Sequence, residues 1–541
     1  MDAVTDAEAE VLFASLLDAV RRGDREAALA LAERGEAADL EHPLILVLAA
    51  EGAEGRGEDA RAARLLQRAV ELAPGQAEAW RRLAAVLGRL GLLEAARTAA
   101  DRALALAPGA LACLIAAGAA AFAVGDLEAA GAHYRSAAQA GSFEAIEALA
   151  AVAARRGHAE DARELAGRAL AAAPDRLGAV LTLARADLLE ADATAADCRL
   201  TDLLAVGVSE AVQVAALDLR AEARDVLGQA DLAFADYQAR NDLIARSNAP
   251  SPPAAERRLD EARRLAAWFG AADPRQWRCR PGDDEAGARS VRRHAFLVGF
   301  PRSGTTLLEK ALASHPLVVS LEEVDCLGEA GREFLVDPAQ LSALAGMDKA
   351  EADRRRTIYW RRVGEILSGD LTGKTLVDKL PLHTLALPVI ARLFPDAVIL
   401  FALRDPRDVV LSCFRRRFRQ NAAMAEFLTL SDAARYYDAV MSLAGVYRAL
   451  LSLEVLEVRH EAVVAGFDVE LGRVLDLLGL PWDEAVRGFA ARAAARPRTP
   501  SDLQLAGGLN SSGVGQWRRY GSFVEAVRPI LDPWAVRWGY A

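Results

Sequence analysis

Residues 299–306 read GFPRSGTT, with the apolar run HAFLV (294–298) before them and LLEKALASHP (307–316) after. A strand, a tight glycine-bearing loop and a helix, in that order, are how a chain holds phosphate. Glycine lets the backbone turn sharply, and the helix start offers N–H groups and the positive end of its dipole. Arg302, Ser303, Thr305 and Thr306 add side-chain donors around Gly304. The spacing is that of a nucleotide-hydrolysing P-loop, but Thr305 stands where the lysine belongs. A Gly-Thr turn that only caps a helix accounts for the same letters.

Outward from this loop, strand-length apolar runs alternate with helical stretches. The runs are HAFLVGF (294–300), TLVDKL (375–380), AVILFAL (397–403) and LEVLEVRH (453–460), and HTLALPVIARLF (383–394) is one of the helices. Alternation of this kind predicts an α/β fold with a mostly parallel sheet. Ligands of such sheets bind at the carboxyl ends of the strands. After AVILFAL comes RDPRDVVLSCF (404–414), which puts Arg404 at a strand end and Ser412 about two helical turns further on. A salt-bridged surface cluster is the plain alternative there.

The first half has a different rhythm. A small turn residue opens GDREAA at Gly23, GEDARAA at Gly57, GLLEAA at Gly91, GDLEAA at Gly125 and GHAEDA at Gly157, with weaker copies at Ala191 and Gly228. The successive spacings are 34, 34, 34, 32, 34 and 37 residues. A second marker, LAP or AAP, closes units at Pro74, Pro108 and Pro174. A 34-residue period with a turn inside and proline at the end resembles the tetratricopeptide repeat, over about seven units in residues 9–243. Each unit is expected to be two antiparallel helices, stacked into an all-α solenoid whose concave face could take a protein or peptide. A scaffold or dimer surface fits equally. The apolar stretch 108–125 keeps the repeat phase and reads as buried helix, not as a membrane span.

SNAPSPPAAE (247–256) is the clearest linker, followed by a charged helix expected at 255–269 and irregular chain at 272–290. The expected organisation is a solenoid at 9–243, a connection at 244–291 and an α/β domain at 292–541.

Composition narrows the function. Of 541 residues, 52% are hydrophobic and 26% charged, and the net charge is −11. An acidic chain of this kind is not built for general nucleic-acid binding. The five cysteines lie far apart with no CxxC pair, which suggests neither a disulfide framework nor a zinc site. An acidic N-terminus without a secretory pattern and reduced cysteines fit a cytoplasmic location.

The two strand-end motifs together resemble the sulfotransferases that use 3′-phosphoadenosine 5′-phosphosulfate (PAPS). In that family the PRSGTT loop holds the 5′-phosphosulfate, and the RDPRD…S segment gives an Arg and a Ser to the 3′-phosphate. DKLPLH (378–383), FPDA (394–397), EVRHEAVVAGF (457–467), LDLLGLPWDE (475–484) and SSGVGQWRRY (511–520) continue the resemblance to the C-terminus. With the repeats in front, the chain is similar to bacterial tetratricopeptide-repeat sulfotransferases, and its second half to tyrosylprotein sulfotransferases. The resemblance implies a P-loop-like sulfotransferase domain that moves a sulfuryl group from PAPS to a hydroxyl or amine without a metal. It accounts for the missing lysine, which serves Mg·ATP chemistry. A kinase or ATPase is the competing enzyme reading.

The resemblance also implies roles. Arg302, Ser303, Gly304, Thr305 and Thr306 would hold the phosphosulfate, Arg404 and Ser412 the 3′-phosphate, and Gly515, Trp517 and Arg518 would close on the nucleotide. Trp517 could instead fill the core. Lys379 would neutralise charge on the leaving group. Glu323, which follows the His315-Pro316 turn, would be the base, with Glu322 as rival; a solvated acidic turn is the bland reading. His315 reads as structural and His383 as a weaker base candidate. His460 stands where the family has tyrosine, and NSSG (510–513) replaces the cytosolic enzymes' RKG. The arginine run in CFRRRFRQN (413–421) is either a solvated face or a preference for acidic acceptors. A repeat protein with an inactive sulfotransferase-like domain is the alternative from another class. The acceptor, the repeat partner and the oligomeric state are not set by sequence.

Overall fold

The computed structural model describes residues 6–247, 257–277, 291–367, 369–418, 421–495, 505 and 507–540. The proline-rich residues 248–256 and most of the irregular stretch, 278–290, lie outside the described residues. Two compact units divide the chain, one ending at Leu227 and one beginning at Gly228.

In the first unit, helices of about a dozen residues follow one another from Asp6–Arg22 to Glu210–Val226. All seven turn markers read from the sequence adopt left-handed backbone, φ between +63° and +85°, and Ala191 is the one that is not glycine. Such a residue reverses the chain in a two- or three-residue link, which is why a small side chain recurs there. Pro74, Pro108 and Pro174 each lie two residues past a helix end, at Leu72, Leu106 and Ala172. The buried faces are mainly alanine, among them Ala49, Ala69, Ala100, Ala121 and Ala166. Alanine both favours helix and lets axes approach closely. At Gly118 even a methyl would lie 2.6 Å from the Tyr134 ring. The apolar stretch near residue 110 is helix Leu111–Val124, half covered by its neighbours. Among the described residues no helix is long and apolar enough to cross a membrane.

The second unit holds a five-stranded sheet in the order β2-β3-β1-β4-β5, with every pair parallel. The strands are β1 Arg293–Gly299, β2 Val318–Ser320, β3 Thr375–Lys379, β4 Val398–Leu403 and β5 Glu454–Arg459. β1, β3 and β4 are buried on both faces, which is why they read as unbroken apolar runs. One face packs Leu297, Val377 and Leu400 against Leu308 and Leu312 of helix Thr305–Ser314. On the other, Phe296 meets Phe394 and Tyr359. The charged helix runs Arg258–Gly270.

Helix Ala230–Ser247, which the repeat phase places in the seventh unit, belongs to the second unit. Its fully buried Arg240 donates to the carbonyls of Phe414 (2.9 Å) and Arg415 (3.0 Å), and Asn241 donates to Phe414 as well. These carbonyls belong to the last turn of helix Pro406–Arg415, where intrahelical donors run out, so the contact caps that helix from another one.

Candidate active site

The strand order turns separate sequence motifs into one row. At the carboxyl edge of the sheet the strand ends carry, in order, the Glu322–Glu323 turn after β2, Lys379 on β3, the 300–304 loop after β1, Arg404 after β4 and His460 after β5.

The loop depends on two left-handed residues, Arg302 (φ +71°) and Gly304 (φ +93°). Gly304 starts helix Thr305–Ser314 with no side-chain cap, and Ser303, Thr305 and Thr306 are buried around that start. At Gly299 (φ +150°) a Cβ would lie 2.6 Å from the Ala402 carbonyl, so glycine is needed where the loop leaves β1 against β4. Thr384 holds that strand end by accepting from the Gly299 N–H and donating to its carbonyl.

Arg302 donates from Nε to the Ser412 hydroxyl at 3.0 Å. Arg404 donates to the Arg302 carbonyl at 3.1 Å and also to the Gly513 carbonyl. The 300–304 loop, the Ser412 helix and the 513–517 segment therefore meet at one point. Burial and the neighbouring Arg416 and Arg404 make the Arg302 charge costly and push its pKa down to about 9. Arg416 thus belongs to this cationic cluster, although in sequence it is one letter of a charge run. His460 lies against Gly304, where a Cβ would be 2.7 Å from its Nδ1. Burial together with Arg404 and Arg302 lowers its pKa to about 3, so this imidazole is neutral at ordinary pH.

The closing segment is tied down by Asp408, a buried carboxylate that accepts from the N–H groups of Gly515 (2.6 Å) and Trp517 (2.9 Å). Burial raises the Asp408 pKa. Gly515 adopts φ +72°, as the turn requires. The guanidinium carbons of Arg407 (4.2 Å) and Arg518 (5.0 Å) both lie over the Trp517 ring.

At the β2–β3 end, Lys379 is 1% exposed and donates to Glu323 at 2.7 Å, with Glu309 at 3.2 Å. Burial opposes its charge, but the two carboxylates outweigh burial and raise its pKa. Glu323 keeps 46% of its side chain exposed. Glu322, at φ +55°, turns instead to Lys310 at 3.2 Å. Lys379 therefore pairs with Glu323 and Glu309, and Glu322 pairs with Lys310. Both nitrogens of His315 are occupied: Nδ1 accepts from the Leu317 N–H, so Nε2 carries the proton and donates to the Pro481 carbonyl. His383 sits between Asp325 (3.1 Å) and Asp378 (3.5 Å), and Tyr359 donates to Asp378 at 2.8 Å. Burial opposes the His383 charge, yet the two carboxylates raise its pKa to about 9. Glu309 leaves no mark in the sequence, where it looks like an ordinary helical residue.

Comparison with known proteins agrees with this geometry. Residues 295–484 match the model of the sulfotransferase family. Protein-tyrosine sulfotransferase A of Caenorhabditis elegans is 25% identical over 35% of this chain and 51% of its own length. Protein-tyrosine sulfotransferase 1 of Danio rerio is 25% identical over 45% of this chain and 71% of its own. The chain spans 32% to 71% of the length of the curated relatives it matches. A tetratricopeptide repeat protein of Parabacteroides merdae is 15% identical, covers 43% of this chain and 93% of itself, and superposes with a TM-score of 0.37. The C-terminal part of the chain thus carries a sulfotransferase-family domain, and the N-terminal part is helical repeats.

Proposed function

We propose that the second unit transfers a sulfuryl group from PAPS to an acceptor hydroxyl or amine. The Arg302–Ser412 contact carries this reading, because it joins the phosphosulfate loop to the 3′-phosphate segment in one cationic site. The donor set fits a nucleotide with phosphate groups at two positions. An uncapped helix start with buried hydroxyls suits the 5′ end, and Arg404, Ser412 and Arg416 suit the 3′ end. Among the described residues, Arg404 Nε and His460 Nδ1 are buried polar atoms with no hydrogen-bond partner, as expected beside a polar ligand.

In the proposed reaction the acceptor oxygen forms a bond to sulfur while the bond from sulfur to the 5′-phosphate oxygen breaks. The acceptor proton passes to the Glu323 carboxylate, and the bonding electrons stay on the phosphate oxygen. Lys379 and Arg302 meet the negative charge that grows there. The products are the sulfated acceptor and 3′-phosphoadenosine 5′-phosphate. A Walker lysine is not needed, since Lys379 brings an ammonium to the same edge from β3. We place the reaction in the cytoplasm and give the repeats the role of holding a peptide or protein acceptor. The worm and fish relatives bear the name protein-tyrosine sulfotransferase, so peptidyl tyrosine is the first acceptor to test. Incubation of the full chain with radiolabelled PAPS and tyrosine-containing peptides or lysate should label a macromolecule. Loss of label with Glu323→Gln ties transfer to this site, and equal labelling by the variant removes Glu323 from the chemistry.

A further inference from the structure

The sequence contains four lysines, Lys310, Lys349, Lys374 and Lys379, against 61 arginines. Two of the four, Lys310 and Lys379, are buried together at the β2–β3 end of the site. A chain that uses arginine almost everywhere keeps an ammonium where one group must sit compactly among acids and meet a single oxygen. Something must hold that ammonium in place.

Glu309 does so from the helix that follows the phosphate loop. Its side chain is 1% exposed, with one carboxylate oxygen 3.2 Å from Lys379 Nζ. The other oxygen accepts from the Ser320 hydroxyl at 2.5 Å. Ser320 Oγ in turn accepts the Glu322 N–H at 3.1 Å, and the next residue, Glu323, accepts from Lys379. The ring Glu309–Ser320–Glu322 N–H–Glu323–Lys379 therefore closes on itself. It ties the phosphate-loop helix to the ends of β2 and β3. Glu322 within it has left-handed backbone, a conformation that persists only where its surroundings impose it.

We propose that Glu309 is the positioning residue of the site, fixing the Lys379 ammonium and, through Ser320, the turn that presents Glu323. This role rests on the sulfuryl-transfer reading above. Glu309 reaches neither the Arg302–Ser412 contact nor the closing segment, so it acts on the transferring end alone. The charged groups facing the pair are Glu323 and Glu309 on Lys379, and Lys310 and Glu322 near Glu309. Burial raises the Glu309 pKa, while Lys379 and the Ser320 hydrogen bond oppose the rise. Removing the carboxylate takes away one of the two charges that hold the proton on Lys379.

The test uses the full chain with Glu309→Gln and Glu309→Asp, labelled with carbon-13 at lysine Cε. Only four lysine signals are present, and the Lys379 signal is assigned by its loss in Lys379→Arg. In Glu309→Gln, Lys379 should titrate at lower pH than in the wild type. The turnover number kcat should fall on the order of 10²-fold, with its alkaline limb displaced the same way. Affinity for 3′-phosphoadenosine 5′-phosphate should stay within about twofold, which also shows that the variant folds. Glu309→Asp should recover part of both losses. A Lys379 titration that does not move, or a kcat equal to wild type, overturns the proposal. So does a fall in kcat matched by an equal fall in nucleotide affinity. A wild-type chain that transfers no sulfuryl group, while Lys379 still responds to Glu309→Gln, overturns the reaction instead and leaves the ion pair a structural one.

Discussion

Arg302 and Ser412 stand 110 residues apart in the chain and are hydrogen-bonded at 3.0 Å. That contact requires β1 and β4 to be neighbours, which the parallel register Gly299↔Ala402 provides. The two motifs thus meet in one place, the anion site we propose, and the substitutions below follow from which part of it each residue would serve.

Glu323 and Glu322 differ in partner and so should differ in effect. Glu323→Gln removes the proposed proton acceptor beside Lys379 and should lower kcat by about 10²–10⁴-fold with nucleotide affinity unchanged. Glu322→Gln, which weakens the Lys310 pair and leaves the Lys379–Glu323 pair in place, should keep most of the turnover. Steady-state kinetics with saturating PAPS separates them. The reverse ranking would move the base role to Glu322.

His383 should make the second unit lose stability in alkali. Its folded pKa of about 9 lies above the ordinary 6.5, so the protonated form is favoured by folding. The contribution is fully present below about pH 6.5 and is lost as pH rises through about 9. It is worth roughly 3 kcal/mol. Seven of the eight tryptophans lie beyond residue 227, so tryptophan fluorescence in urea reports mainly on this unit. Between pH 6 and pH 10 the wild type should lose about 3 kcal/mol more than His383→Gln. Equal losses would mean that Asp325 and Asp378 do not hold the imidazolium.

Gly304 is constrained twice, by φ +93° and by a methyl-to-imidazole distance of 2.7 Å. Gly304→Ala should weaken 3′-phosphoadenosine 5′-phosphate binding by tenfold or more, about 1.4 kcal/mol. Adding His460→Ala makes room but leaves the backbone strain, so calorimetry should find only partial recovery. Full recovery would show that crowding by His460, not backbone conformation, sets the cost.

Arg240 is the fully buried cap of the Ser412 helix. Arg240→Met removes the buried hydrogen bonds from Arg240 to the Phe414 and Arg415 carbonyls and should destabilise the second unit by about 2–3 kcal/mol in urea unfolding. Phe414 keeps Asn241 as a donor, which limits the loss. An effect below about 0.5 kcal/mol, the level of an ordinary surface substitution, would show that the cap contributes little.

Much of this was legible in the sequence because it is written in local terms. The turn residues at Gly23 to Gly228 announce left-handed backbone, and the loop and strand-end residues sit where an apolar run stops. Three of the five strands are built on apolar runs and a fourth, Glu454–Arg459, interleaves apolar with charged residues, each over five to seven residues. The fifth, Val318–Ser320, has three residues and no period to detect. Glu309 meets Lys379 across 70 residues, and Arg240 meets Arg415 across 175. Neither pairing leaves a local trace. Arg240 looks like one more repeat arginine, and Glu309 like the polar face of a short helix. Arg416 differs from its neighbours only by lying near Arg302, which spacing does not reveal.

The site is decided by whether the chain binds the nucleotide through Arg404. Calorimetric titration of the full chain with 3′-phosphoadenosine 5′-phosphate should show one site of micromolar affinity or tighter. Arg404→Ala should weaken it by about 1.5–3 kcal/mol, the range for a hydrogen bond to a charged group. No binding at high micromolar concentration, or equal binding by wild type and Arg404→Ala, would contradict the assignment of this edge of the sheet to a sulfuryl donor.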